Sequence, residues 1–244
     1  MKPARHLLRH RPARCVRGVS MVEFVIVFPL ATLFVLGLIQ TGLILMAKLT
    51  VNHATFMAAR VGSMHNAKAS PMREALIRGL SPFYQNSLDS NDTARLAKAY
   101  AKAQADNLKV LPWSAEIDVL NPSPDAFLDF GVRDPKTRVT YIPNDNIEWR
   151  AMTLGGRSKM NLRDANLLKL RVTYGYELKV PLMAGVLARV MCGGAIGVDA
   201  YGDVKFWEAV YGPVSSECQK YYLRGRIPIE SFAIVEMQSR AEKS

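Results

Sequence analysis

The hydropathy pattern is dominated by one uncharged apolar run that extends from Phe24 to Ala47. A helix of that length would extend about 36 Å at about 1.5 Å per residue, and the hydrocarbon core of a bilayer is about 30 Å thick. The run therefore predicts one membrane-spanning helix, in which a protein neighbour could satisfy the polar side chains of Thr32, Gln40 and Thr41. A cleaved secretory signal is the alternative, but its apolar region would be shorter, about 7–15 residues, and small residues would directly follow it.

Apolar positions continue beyond this run at the spacing of a helix. They recur every three or four residues, which predicts that the same helix continues to about Met64; the positions are Ala47, Val51, Ala54, Ala58 and Val61. The chain thereby divides into residues 1–18, a short basic leader, residues 19–65, an anchor helix with its extension, and residues 66–244, a separate domain.

The domain begins with helical patterns. Ser70 and Pro71 predict a helix with a capping serine, and Gly79 and Pro82 predict its end. A second helix is expected to begin near Asp92.

Strand patterns follow. Residues 168–180 alternate strictly between apolar and polar or small side chains, which predicts a long strand with one buried face. Weaker candidates are Ala115–Leu120, Arg138–Ile142 and Ile227–Met237, and the last is expected beside the long strand. The fold class is therefore α+β, with a long N-terminal transmembrane helix and then helices and a mostly antiparallel sheet.

One further apolar segment, Leu182–Met191, is too short to span a bilayer. It predicts a buried helix, and contact with the membrane surface is the alternative.

The formal net charge of +11 is concentrated at the N-terminus. Residues 1–18 contain no acid, and their cations are Lys2, Arg5, Arg9, Arg11, Arg14 and Arg17. This excess belongs to a leader, so the charge does not predict a nucleic-acid surface. Because cations favour the cytoplasmic flank of a span, the N-terminus is expected in the cytoplasm and the C-terminal domain outside it.

The cysteines and the remaining polar residues offer little chemistry. Cys192 and Cys218 are candidates for a disulfide outside the cytoplasm, and two buried free thiols are the alternative. No metal spacing among the histidines and no hydrolase, redox or nucleotide motif is present, so we expect no enzyme, metal or cofactor. Loop carboxylates at Asp125, Asp129 and Asp134 are the residual catalytic possibility, and the acidic turn 144–146 is a weak cation candidate.

The residues directly before the span carry the functional signal. A glycine, four further residues, a glutamate and an aromatic residue precede the apolar helix in the sequence Gly18-Val19-Ser20-Met21-Val22-Glu23-Phe24. This arrangement resembles the processing site of type IV pilins. The resemblance implies that a membrane-embedded aspartic peptidase of the prepilin type cleaves after Gly18, which leaves Val19 as the new N-terminus.

Glu23 is also unusual on physical grounds. A carboxylate is disfavoured by about 2.5–3.5 kcal/mol at the centre of a bilayer, whereas the N-terminal helix dipole returns only about 0.3–1 kcal/mol. Pairing with the new α-amino group of Val19, on the same or a neighbouring subunit, would give this carboxylate a function. The alternative is that Glu23 only marks the membrane interface.

The segment after the apolar run resembles one particular family of pilin-like proteins. The sequence Asn52-His53-Ala54-Thr55-Phe56-Met57-Ala58-Ala59-Arg60-Val61-Gly62 is similar to TadE-like proteins, pilin-like components of tight-adherence (Flp) pilus systems. Ile227-Pro228-Ile229 and Met237-Gln238-Ser239 resemble longer members of that family. Short major pilins are little more than the helix, so the long domain here favours a minor pilin or pseudopilin.

The resemblance implies a bacterial inner-membrane protein with one span and a periplasmic domain, which can also reach the extracellular pilus. Its partners would be the membrane, the prepilin-type peptidase, other pilin-like subunits and the inner-membrane assembly platform. Glu23 and Phe24 would serve assembly. The alternative function is a single-pass periplasmic binding module that recruits secretion partners without entering a filament.

Overall fold

A computed structural model describes residues 21–86, 91–107, 111, 113–180, 182–192, 218 and 220–243 of the chain. The helices are α1 Met21–Met64, α2 Ala69–Leu80, α3 Asp92–Asp106, α4 Pro124–Phe130, α5 Leu162–Ala165 and α6 Met183–Cys192. The strands are β1 Glu116–Asn121, β2 Val132–Arg133, β3 Thr140–Ile142, β4 Leu167–Glu177, β5 Arg226–Glu236 and β6 Ala241–Glu242. Single 3-10 turns lie at Ser81–Tyr84, Ile147–Trp149 and Tyr222–Arg224.

The first helix joins the apolar run and its extension. α1 is continuous from Met21 to Met64 and passes through Pro29 without ending. The predicted extension to Met64 is confirmed. The reason is that the small and β-branched residues after Ala47 form one stripe that the domain covers, so tertiary packing sustains the helix beyond the span.

The strands form two antiparallel sheets. The larger sheet has the order β1-β4-β5, and β4 pairs with β5 along its whole length, from Leu167 opposite Glu236 to Glu177 opposite Arg226. The smaller sheet has the order β2-β3-β6. The predicted α+β class and the predicted antiparallel partner of the long strand are both confirmed.

The alternation along β4 determines where the core lies. Its apolar side chains at Leu168, Leu170 and Val172 are fully buried, whereas Lys169 on the other face is exposed. α1 packs on the buried face of β4 and β5, and α2 packs beside α1. The core is therefore a helix pair on one sheet, and half of that pair is the extension of the anchor helix.

Gly79 lies where α2 packs closely on α1, and the predicted end of α2 at Gly79 and Pro82 is confirmed. α2 continues through Gly79 to Leu80 and then into the 3-10 turn Ser81–Tyr84. A Cβ at Gly79 would lie 2.6 Å from the Cα of Ala54 on α1, so there is no space for a side chain. The glycine is therefore also needed for a close approach of two helices, which local propensity does not report.

The prediction that Ser70 caps the N-terminus of α2 was wrong. The helix begins at Ala69 after an extended Lys68, and no side chain caps it, so Ser70 lies inside its first turn. Asn66 and Ala67 adopt left-handed conformations with φ of 61° and 57°. These two residues reverse the chain early, and the helix therefore starts before the serine.

Two weaker predictions have different outcomes. α3 begins at Asp92 as predicted, and the Asn91 side chain accepts from the backbone amides of Thr93 and Ala94. The strand predicted at Arg138–Ile142 is reduced to Thr140–Ile142 because Arg138 adopts a left-handed turn conformation with φ of 60°.

Candidate functional site

The N-terminal part of α1 projects away from the domain. Every described side chain from Met21 to Val35 is exposed, including Leu30 at 71% and Phe34 at 67%. Within the described ranges, α1 is the one helix long and apolar enough to cross a membrane. Side chains of this kind are stable in lipid or against other apolar helices, so this part of α1 is a candidate span and a candidate assembly surface.

The threonines of the span need no neighbour, contrary to the expectation from the sequence. Thr32 donates its hydroxyl to the carbonyl oxygen of Phe28, and Thr41 donates to that of Gly37, each at 2.8 Å. A side chain that bonds within its own helix can face lipid at low cost.

Gln40 marks the place where the domain meets α1. Its side chain is only 2% exposed, and its Oε1 accepts a hydrogen bond from the backbone amide of Val180 at 3.0 Å. The neighbour that satisfies this oxygen is therefore the chain's own segment after β4. Gln40 lies well inside the apolar run, so the domain begins before the run ends.

Beyond Gln40, the two faces of α1 differ. The face toward the domain carries small buried residues, among them Ala54 and Ala58. The opposite face exposes the apolar side chains of Leu45, Leu49 and Phe56 at helical spacing, with the polar side chains of Asn52 and His53 exposed between the last two. An exposed stripe with apolar side chains at Leu45, Leu49 and Phe56 therefore continues past Lys48, the first charged residue after the apolar run.

The predicted processing residues lie at the free end of this helix. Gly18 and Val19 are outside the described residues. Glu23 and Phe24 are in the first turn of α1, both exposed, and the Phe24 ring stacks on that of Phe28 with centroids 5.1 Å apart. Among the described residues, the side chains of α1 are exposed from this end as far as Val35.

Residues 18–60 match the family model for TadE-like proteins. This match confirms the resemblance predicted from the sequence over that segment, which we call the TadE-like segment. It begins at Gly18 and contains the exposed part of α1, Gln40 and most of the stripe buried by the domain. No curated protein and no solved structure matches the chain. The match supports a component associated with Tad pili.

Cys192 and Cys218 meet at the end of the domain that lies nearest to Gln40. The structure joins them by a disulfide with a Cα–Cα distance of 5.8 Å. Cys192 is the last residue of α6, and Cys218 precedes the turn Tyr222–Arg224 that packs on α6. The bond links α6 to the segment that leads into β5, and it requires an oxidising compartment.

Of the three carboxylates that the sequence suggested for catalysis, Asp129 and Asp134 hold turns, and Asp125 lies in the first turn of α4. Asp129 accepts hydrogen bonds from the Ser158 amide and hydroxyl and from the Arg157 amide, and these bonds, the one from the Ser158 amide first, lower its pKa. The pKa of Asp134 is lowered chiefly by the Lys136 amide. Among the residues with described positions, no three His, Cys, Asp or Glu side chains are grouped for a metal.

A buried cluster beside β4 was not predicted from the sequence. Tyr84 donates its hydroxyl to Asp106 at 2.7 Å and lies 3.1 Å from the hydroxyl of Tyr174. Trp113 donates its indole N–H to Asp106 at 3.2 Å, and Arg226 pairs with the same carboxylate at 3.6 Å. Burial raises the pKa of Tyr174 to about 12, so both phenols stay neutral at ordinary pH. These five residues are called the Asp106 cluster.

The segment after β5 contacts the C-terminal end of α1. The amides of Gln238 and Ser239 donate to the carbonyl oxygen of Ser63 at 3.1 and 2.9 Å. The Ser239 hydroxyl also donates to Ser63, and it accepts from the Asn66 amide at 2.8 Å. A carbonyl at the last turn of a helix has no partner within the helix, so this segment caps α1. The sequence offered only the family resemblance of Met237-Gln238-Ser239 as a signal.

Proposed function

We propose that the protein is a minor pilin or pseudopilin of a tight-adherence (Flp/Tad) pilus assembly and secretion system. A prepilin-type aspartic peptidase cleaves it after Gly18, and α1 anchors it in the bacterial inner membrane. Its N-terminus faces the cytoplasm and its domain faces the periplasm. It assembles with other pilin-like subunits, on the inner-membrane platform, by packing α1 against their helices.

The observation that carries this proposal is the position of the exposed apolar stripe. The face of α1 opposite the domain remains apolar at Leu49 and at Phe56, which is 49% exposed. These residues follow Lys48 and lie beyond the part of α1 that a bilayer of about 30 Å covers. Lipid does not protect them there, whereas the equivalent helix of a neighbouring subunit would.

Glu23 has a defined role in this arrangement. Cleavage after Gly18 creates an α-amino group at Val19, close to the carboxylate in the sequence. Within an apolar helix bundle, an uncompensated carboxylate is costly and a paired one is tolerated. Pairing between the Val19 amine of one subunit and Glu23 of another would therefore set the register between adjacent helices.

We further propose that the domain has a structural rather than an enzymatic role. The disulfide between Cys192 and Cys218 and the turn-holding roles of Asp129 and Asp134 support a stable exported domain. The second candidate function is a periplasmic binding module on a single anchor, which would require lipid contact along α1 but no helix neighbours beyond Lys48.

Substitutions on the exposed stripe separate these two functions. We expect the double variant L49A/F56A to be made, anchored and processed like the wild type but to be lost from sheared pilus or pseudopilus fractions. The matched control is Leu128→Ala, an equally apolar exposed position on α4. Incorporation of the stripe variant at the wild-type level would reject assembly through α1 and favour the binding module.

Processing is tested at the leader. N-terminal sequencing of the native protein is expected to begin at Val19, and Gly18→Ala should leave the leader attached. Gly37→Ala is the control, since it makes the same change on α1 where a Cβ has open space. Normal maturation of Gly18→Ala would contradict the peptidase assignment.

The carboxylate is tested separately. Glu23→Ala should be cleaved normally yet fail to assemble. Glu74→Ala is the control, because it removes an exposed glutamate that pairs with Arg78 on the same helix, α2. Unchanged assembly of Glu23→Ala would show that the carboxylate has no pairing role.

A further inference from the structure

The helix α6 presents an apolar surface to solvent at the end of the domain that meets α1. Leu182 and Val190 are 68% and 71% exposed, and Val186 lies between them one helical turn from each. The inner side of α6 is buried through Met183 and Ala188. The sequence predicted a buried helix at Leu182–Met191, and this prediction was wrong for its outer face.

The direction of the large sheet fixes where this surface lies. At one end, the segment after β4 reaches α1 through the hydrogen bond between Val180 and Gln40. At the other end, the segment after β5 reaches α1 through the bond between Gln238 and Ser63. The sheet therefore runs alongside α1, and α6, which begins three residues after Val180, belongs to the end near the apolar run.

The length of α1 before Gln40 determines how deep in the bilayer the domain begins. The stretch from Phe24 to Ile39 precedes Gln40, the first buried side chain of α1 among the described residues, and extends about 24 Å at about 1.5 Å per residue. The hydrocarbon core of a bilayer is about 30 Å thick. If Glu23 stays at the inner boundary, Gln40 lies below the outer boundary of the hydrocarbon, and the elements that touch it are at membrane depth.

The chemistry around α6 fits that depth. Its exposed side chains at Leu182, Val186 and Val190 are aliphatic. The segments on either side carry Arg224 and also Lys179 and Lys220, which pair with Glu177 and Glu116. An apolar helix face flanked by basic residues is the pattern of helices that lie in the interface of an anionic leaflet. A soluble surface at this position would instead be expected to carry polar side chains.

We propose that α6 lies in the outer leaflet of the membrane that α1 spans, with Leu182, Val186 and Val190 inserted among the acyl chains. This inference rests on the proposed anchoring by α1. The domain then has two membrane contacts, the span and α6, and together they fix its tilt over the bilayer before assembly. Extraction into a filament requires α6 to leave the leaflet.

Photo-cross-linking in vesicles tests the inference. The full-length protein is reconstituted into vesicles of phosphatidylethanolamine and phosphatidylglycerol with p-benzoylphenylalanine at position 190, 33 or 128. Position 33 replaces an exposed leucine of the span, and position 128 replaces the exposed leucine of α4. A change in gel mobility on reduction reports that the Cys192–Cys218 bond is retained in each variant.

We expect lipid adducts, detected by mass spectrometry, at positions 33 and 190 and a loss of adducts to background at position 128. Lipid adducts at position 33 with only background at position 190 would overturn the α6 proposal and leave the anchoring intact. Adducts of position 190 with peptide, from this chain or another, would overturn it as well. Background at both positions 33 and 190 would overturn the anchoring itself.

A charge substitution gives an independent measurement. V186D/V190D, with a benzophenone at position 182, should lose most of its lipid adduct relative to the same probe in the wild-type background. Leu128→Asp is the matched control and should keep the adduct at position 182. Equal yields in both variants would show that α6 does not need an apolar face to reach lipid, which contradicts insertion.

Discussion

Loss of the Asp106 carboxylate is expected to be one of the most destabilising single changes in the domain. Asp106 accepts from Tyr84 and Trp113 and pairs with Arg226, whose side chain is 13% exposed against 25% for Asp106. Asp106→Ala removes all three interactions at once. It leaves a nearly buried guanidinium and two part-buried donors without this acceptor.

The magnitude follows from these contacts. Removing one partner of a fully buried ion pair costs about 3–5 kcal/mol. The partial exposure of this pair, and the bond that Arg226 keeps to the carbonyl oxygen of Gly175 at 2.9 Å, reduce that cost. The lost hydrogen bonds from Tyr84 and Trp113 cost about 1–3 kcal/mol each when their donors stay buried, but neighbouring losses are not additive. We therefore expect a loss of about 3 kcal/mol in the free energy of unfolding.

The assay is denaturant unfolding of the full-length protein in detergent, followed by tryptophan fluorescence, since Trp113 lies in the cluster. Asp92→Ala is the matched control, because Asp92 begins the same helix and also pairs with an arginine, but its side chain is 84% exposed. The control should lose less than about 1 kcal/mol. A loss of under 1 kcal/mol for Asp106→Ala would refute the argument that burial of Arg226 makes this carboxylate necessary.

Three further predictions concern packing, capping and pH. Gly79→Ala should lower the free energy of unfolding, measured by denaturant unfolding, by about 1–2 kcal/mol, because the new Cβ meets the backbone of Ala54. In an open helix position, a Gly→Ala change usually stabilises by up to about 1 kcal/mol. Ser239→Ala should cost about 1–2 kcal/mol and speed hydrogen exchange at the Asn66 amide, which loses its acceptor. Burial raises the pKa of Tyr174 to about 12. The stability that the neutral buried phenol contributes to the folded state is therefore fully present below the unfolded pKa of about 10 and is lost as the pH rises toward 12. Tyr174→Phe should flatten the decline of unfolding free energy between pH 9 and about 11, and an unchanged slope would contradict the burial argument.

Hydrophobic periodicity was sufficient to predict the elements whose side chains form one long regular stripe. α1 and β4 each carry a long regular stripe, so their type and buried face could be derived from spacing. The alternation predicted a strand as far as residue 180, whereas β4 ends at Glu177. The partner of β4 was also predicted, because a strand with one buried and one wet face is typical of antiparallel sheets and Ile227–Met237 was another strand candidate.

Contacts between segments that are distant in the sequence could not be predicted from periodicity. An alanine gives no local sign that it will adopt a left-handed conformation, as Ala67 does, so the start of α2 was misplaced. The Asp106 cluster joins residues from five separate segments, none of which is unusual locally. The exposure of α6 depends on which side of the helix the domain covers, and hydrophobic residues on all sides do not specify that.

The two faces of α1 after Gln40 serve different purposes, and this division decides how changes in the TadE-like segment should be interpreted. Ala58 is fully buried against the domain, whereas Phe56, two positions earlier, is exposed on the other side. A larger residue at Ala58 would overpack the core and lower stability by about 1–3 kcal/mol, and assembly would then fail because the domain unfolds. Phe56→Ala removes no core contact, so a failure of assembly in that variant with unchanged unfolding would isolate the helix surface itself. Because the anchor helix supplies half of the helix pair over the sheet, the domain cannot be separated from its anchor at residue 65 without removing part of its own core.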